Sequence, residues 1–153
     1  MSDSSNARDE FGTVEGMILD RKDVFTKHGL SYVEMRVEHS NLLGDLAVFL
    51  FRNKQNGMQM RLTFFPGSDD RPRSFVMNIT NKRGQKMDVT EFLRVHHRED
   101  LLKMFTDKEP GSGSQVFCSG FLDTLEKLFS TQLKRVLDGA EWEVVPFNWG
   151  DYK

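Results

Sequence analysis

Apolar residues recur along the chain at two different periods, and the change of period divides it into a helical start, a stranded middle and a helical end. Val14, Met17, Ile18, Arg21, Phe25 and His28 fall at helical spacing. Gly29 stands where a glycine would terminate that helix. Gly12 and Gly16 weaken it, since each costs about 1 kcal/mol relative to Ala in a helix interior. Residues 1–9 are polar without periodicity and read as a disordered tail, leaving 10–153 as a single α+β domain.

Period two then takes over. Val33, Met35, Val37 and His39 alternate with Tyr32, Glu34, Arg36 and Glu38, which predicts a half-buried antiparallel strand with the first set facing inward. Leu46–Phe51 is apolar on both faces, as a central strand covered on each side would be. Asn53–Gly57 carries the Asn-Gly signal of a hairpin. The returning strand, Met58–Phe65, puts Met58, Met60, Leu62 and Phe64 on one face. Pro66–Pro72 reads as loop, Phe75–Ile79 as a further strand and Asn81–Gly84 as another tight turn.

Over Met87–Val95 the two periods compete. Met87, Val89, Leu93 and Val95 would alternate in a strand, whereas Asp88-Val89-Thr90-Glu91 has the form of a capping box. The cap favours a helix from about residue 89, broken near His96. Leu101, Leu102, Met104 and Phe105 continue the helical pattern, and Glu99 and Asp100 suit a first turn. Glu109–Ser114 is a Gly/Ser connector. Phe117, Phe121, Leu122, Leu125, Leu128, Phe129, Leu133, Val136 and Leu137 then form one broad apolar stripe opposite Asp123, Glu126, Lys127, Lys134 and Arg135, with Gly139 closing the helix. Trp142–Phe147 reads as a short edge strand stopped by Pro146. The sum is an antiparallel sheet of about four to six strands, with an N-terminal helix and a long C-terminal helix packed on it.

Composition changes this picture little. Of 153 residues, 38% are hydrophobic and 29% charged, which fits a chain able to bury a core and not a disordered one. The longest apolar run, Leu46–Phe51, is far too short to span a bilayer, so no membrane is expected. Met1–Asn6 has neither a basic nor an apolar leader segment, and the single cysteine, Cys118, excludes an internal disulfide. A cytoplasmic protein is the expectation.

Charge adds more. Residues 52–86 hold eight basic side chains, Arg52, Lys54, Arg61, Arg71, Arg73, Lys82, Arg83 and Lys86, against Asp69 and Asp70, a local +6 in a chain whose total is −2. The two flanks stand at −4 each. The turns at 53–57 and 82–84 belong to adjacent hairpins, so their cations could form a basic rim able to hold an anionic partner such as single-stranded nucleic acid. Two facts weigh the other way: turn lysines commonly guard sheets against aggregation, and a pI near 6.1 lies well below the value of about 9 that marks dedicated nucleic-acid binders.

Candidate chemistry is sparse. His96-His97 are adjacent and point apart, so one metal would rarely take both, and His96 with Asp100 supplies two ligands where zinc requires three or four. His39 could be a base but lacks a partner nucleophile, and Cys118 lacks an activating neighbour. Asp69-Asp70 lack the alternate spacing and late Glu of a calcium loop. Gly111-Ser112-Gly113 lacks the Lys-Ser/Thr ending of a phosphate loop. No cofactor or metal is expected. The sequence therefore reads as a non-catalytic protein-interaction or binding module, engaging a protein partner or a second copy. A binder of an anionic partner through residues 52–86 is the alternative, and an enzyme without a recognisable motif is a third.

Overall fold

A computed structural model describes residues 3–67, 71–109 and 113–137, with side chains described from Asp9 onward. The helical start comprises α1 (Asp3–Asp20) and α2 (Asp23–Thr26). Five strands follow: β1 (Ser31–Ser40), β2 (Gly44–Arg52), β3 (Gln59–Phe65), β4 (Ser74–Thr80) and β5 (Lys86–Asp88). The helical end comprises α3 (Val89–Val95), α4 (Glu99–Leu102), one 3-10 turn (Lys103–Phe105), α5 (Ser114–Ser130) and α6 (Lys134–Leu137). The strands form one antiparallel meander in the order β1-β2-β3-β4-β5.

Two expected helices are each broken in two. The first breaks at Arg21 and Lys22, and α1 begins within the stretch 1–9 that lacks apolar periodicity. Gly29 ends α2 as its position predicts. Its φ is +81°, and Leu30 N–H donates to Phe25 O while Gly29 N–H donates to Thr26 O, each at 3.0 Å. The C-terminal stripe breaks at Thr131, where two weak helix formers, Ser130 and Thr131, follow one another. The Ser130 and Thr131 hydroxyls donate back to Glu126 O and Lys127 O at 2.8 and 2.7 Å, and Leu133 N–H reaches Leu128 O. All nine stripe residues are nevertheless buried. Gly139 and the strand expected at 142–147 lie outside the described residues.

α5 packs on the sheet through rings. Phe121 stacks on Phe75 of β4 at 4.1 Å and Phe117 does so at 5.3 Å, while Phe129 meets Phe25 of α2 edge-on. Phe25 in turn stacks on Phe51 of β2 at 4.3 Å, and Phe11 of α1 meets Phe64 of β3 edge-on. Ion pairs Arg21–Asp123 and Lys27–Glu126 tie the two helical ends together above this core. The core cluster takes Ala47, Phe49, Phe51, Met60, Leu62, Phe64, Phe75, Met77 and Ile79 from one face of the sheet. Leu46 and Val48, on the other face, are buried but lie outside that cluster.

Asp88 decides the contest over 87–95. Its Oδ1 accepts from Glu91 N–H at 3.1 Å and from Thr90 Oγ1, so β5 ends and α3 begins at the expected cap. The helix closes at His96, and His97 takes a left-handed φ of +58°.

One face assignment needs correction. β1 carries a bulge between Tyr32 and Glu34: Tyr32 pairs with Phe51 and Glu34 with Leu50, so Val33 is the extra residue. Tyr32 thereby joins Met35 on the core side, where its ring contacts Phe51 and its hydroxyl donates to Glu15 at 2.5 Å. Val33 is expelled and stands 49% exposed. Val37 and His39 keep the expected parity but lie on the edge strand: Ala47, the partner of Val37 on β2, is fully buried, whereas Val37 is 43% exposed.

Candidate functional site

The register carries the chain's cations to defined places. β2 ends at Arg52 opposite Gln59, and Gln59 lies opposite Thr80, which pairs with Lys86. This row is one end of the sheet, and both hairpin turns sit on it. Each turn is closed by an asparagine. Asn53 Oδ1 accepts from the N–H groups of Gln55 and Asn56, and Asn81 Oδ1 accepts from those of Arg83 and Gln85. The turns abut, since a Cβ added to Gly57 would lie 2.9 Å from Lys82 Cβ. Arg52, Lys54, Lys82, Arg83 and Lys86 therefore share one rim, all exposed, and none forms an ion pair with another described residue.

The other three predicted cations do not join them. Arg61 is mid-strand on the second face and pairs with Glu38 of β1 at 2.8 Å. Arg71 and Arg73 precede β4 at the opposite end of the sheet. Arg73 is half-buried and bridges Glu10 of α1 and Asp107, so it ties elements together inside the fold. Of the two acids once set against this cluster, Asp69 and Asp70, both lie outside the described residues.

The residues weighed for catalysis or metal binding are dispersed. His39 Nδ1 is 2.9 Å from Asp45 Oδ1 across the β1–β2 hairpin, an exposed pair at the end of the sheet remote from the rim. His96 packs its ring on Phe92, and His97 is exposed. Cys118 is fully buried in α5, and burial pushes its thiol up to about 12, which keeps it protonated and unreactive. Among the described residues no three His, Cys, Asp or Glu side chains gather as a metal would require. An open groove of about 280 Å³ runs between the 3-10 turn and α5, lined by Met104, Val116, Phe117 and Phe121 with Lys103 and Asp107.

A second surface went unmarked in the sequence. β1 is an edge strand of ten residues with nothing paired on its outer side among the described elements. The opposite edge is short and closed: β5 has three residues, Ser74 of β4 bridges to Thr106, and Asp107 N–H donates to Arg73 O at 2.8 Å. Seven large hydrophobic residues are exposed among those described, and four belong to β1 or the turn after it: Val33, Val37, Leu42 and Leu43. The alternation of β1 hid Val33 and Val37, because it predicts an inward face without telling how far the covering helices extend. Leu42 and Leu43, two leucines in a hairpin turn where polar residues are usual, were the legible signal.

No protein-family model, curated protein or solved structure matches this chain. Among the described residues no helix is long and apolar enough to cross a membrane.

Proposed function

We propose that this protein is a non-catalytic protein-interaction module that takes an extended segment of a partner along the outer edge of β1. The carrying observation is that, among the described residues, one sheet edge is short and capped while the other offers ten residues of backbone flanked by exposed Val33, Val37, Leu42 and Leu43. An open edge presents unpaired N–H and C=O groups, and a partner strand satisfies them while alternate side chains find apolar neighbours. A cytoplasmic setting fits the lone, buried cysteine.

Selection of peptides from a displayed random library tests this reading. The expected winners are extended segments with alternating apolar positions, and they should shift the backbone amide resonances of residues 33–40 most. The Val37→Lys variant should lose them. Selected peptides that map elsewhere, or that bind Val37→Lys equally well, would refute it.

The convergence of Arg52, Lys54, Lys82, Arg83 and Lys86 favours a second reading, in which the rim holds an anionic partner such as single-stranded nucleic acid. Fluorescence anisotropy with short DNA and RNA strands checks it. Binding should fall steeply with salt, because each phosphate contact releases condensed counterions. Reversing Lys82 and Arg83 to Glu should weaken binding without unfolding the protein. No binding even at low salt removes this second reading.

A further inference from the structure

We infer that the segment taken by β1 is β1 of a second copy, paired antiparallel about a two-fold axis through Val37; this rests on the reading of β1 as an interaction edge. In such a pairing each residue meets one whose number completes a constant sum, so the axis position dictates every cross-strand pair. An axis at Arg36 would set Arg36 against its own symmetry mate and Glu34 against Glu38, and an axis at Glu38 would juxtapose two Glu38 side chains. Like charges directly opposite are destabilising. An axis at Met35 would draw the bulge at Val33 into the ladder, where the register is already broken.

The axis at Val37 avoids all three faults. It pairs the regular stretch Glu34–Ser40, which lies wholly past the bulge. Val37 meets Val37, Met35 meets His39, and each Arg36 meets the other copy's Glu38. Glu38 already accepts from Arg61 at 2.8 Å on the same face and Arg36 already pairs with Glu34 of its own strand at 2.6 Å, so the contact would join two existing ion pairs into one alternating four-charge array. Beyond the paired stretch, the expelled Val33 of one copy comes opposite the turn that carries exposed Leu42 and Leu43 of the other. Residues of equal parity pair, so the helical layers of both copies fall on the same side of a continuous ten-stranded sheet.

A contact made by one seven-residue stretch from each copy should bury less than the roughly 1,200–2,000 Å² of stable interfaces, so the dimer should be concentration-dependent. Sedimentation velocity on the full chain, from about 10 µM to about 1 mM, should show the mass rising from 17.7 kDa towards twice that value. The charge test isolates the register. Arg36→Glu alone and Glu38→Arg alone should each remain monomeric, since both juxtapose like charges twice. An equimolar mixture of the two should dimerise, because both cross-strand pairs are then complementary. Circular dichroism checks that each variant is folded, as is expected for exposed positions.

A monomer at every concentration that still selects extended peptides at β1 overturns the self-pairing and leaves the interaction reading intact. A monomer that selects none overturns both. A dimer indifferent to Arg36→Glu, or variants that dimerise no better mixed than alone, overturns the pairing at Val37.

Discussion

Phe121 gives the sharpest test of how this fold is held. It sits mid-way along α5, 1% exposed, stacked on Phe75 at 4.1 Å with an interplanar angle of 18° and edge-on to Phe105 at 5.5 Å. It therefore joins three elements that are distant in sequence: the sheet, the 3-10 turn and the last long helix. Truncation to Ala removes a buried ring and leaves a cavity whose walls are other rings that cannot collapse freely, so the loss should be about 3–5 kcal/mol. A double-mutant cycle with Phe75→Leu should recover a coupling of roughly 0.5–1.5 kcal/mol from the stacked pair. Two residues along the helix, Asp123 is 67% exposed and pairs with Arg21 at 2.8 Å. Its truncation to Ala should cost less than about 1 kcal/mol, because exposed ion pairs are screened and carry side-chain entropy. Urea unfolding followed by circular dichroism measures both, with the slope unchanged if only the native state is affected. Since a domain of this kind holds about 5–15 kcal/mol in all, Phe121→Ala should lower the midpoint severely. Equal losses for Phe121→Ala and Asp123→Ala would refute the assignment of α5's buried face.

Two further outcomes follow from single positions. Gly29→Ala should destabilise by more than about 1 kcal/mol, since φ is +81° and the new methyl would lie 2.7 Å from Asn53 Nδ2. Gly16→Ala, on the exposed face of α1 with nothing within 4 Å, should instead stabilise by roughly 0.5–1 kcal/mol, and thermal melts of the pair would expose a wrong sign in either. The Cys118 thiol, raised to about 12 by burial, should resist an aromatic disulfide reagent at pH 8 in the native protein and react at once in denaturant; rapid native labelling would contradict its burial.

Much of the fold was legible because it depends on patterns that act locally. The nine-residue stripe of the C-terminal helix, the Asp88 cap, Gly29 as a terminator and the strands from Leu46 to Ile79 all follow from period, cap chemistry or turn residues that neighbours in sequence decide. What the pattern could not supply was anything set by a competing local interaction of similar strength. At Ser130 and Thr131 the hydroxyls bond back to carbonyls four residues earlier, and the stripe continues apolar through a broken helix.

The candidate surfaces divide in the same way. That Lys54 and Lys82 lie on hairpin turns was readable from Asn and Gly, and adjacency of consecutive hairpins brings such turns to one end of a meander. The sequence alone determined an α+β chain with a basic middle and no obvious catalytic constellation. Only the tertiary structure separated Arg73, drawn inward by Glu10 and Asp107, from the five cations left on the rim. Only it exposed Val33 and Val37, for two reasons that composition and period do not encode: one extra residue at a bulge reverses which side chain faces the core, and β1 lies at the sheet edge, where the cover that buries Ala47 leaves its partner Val37 exposed.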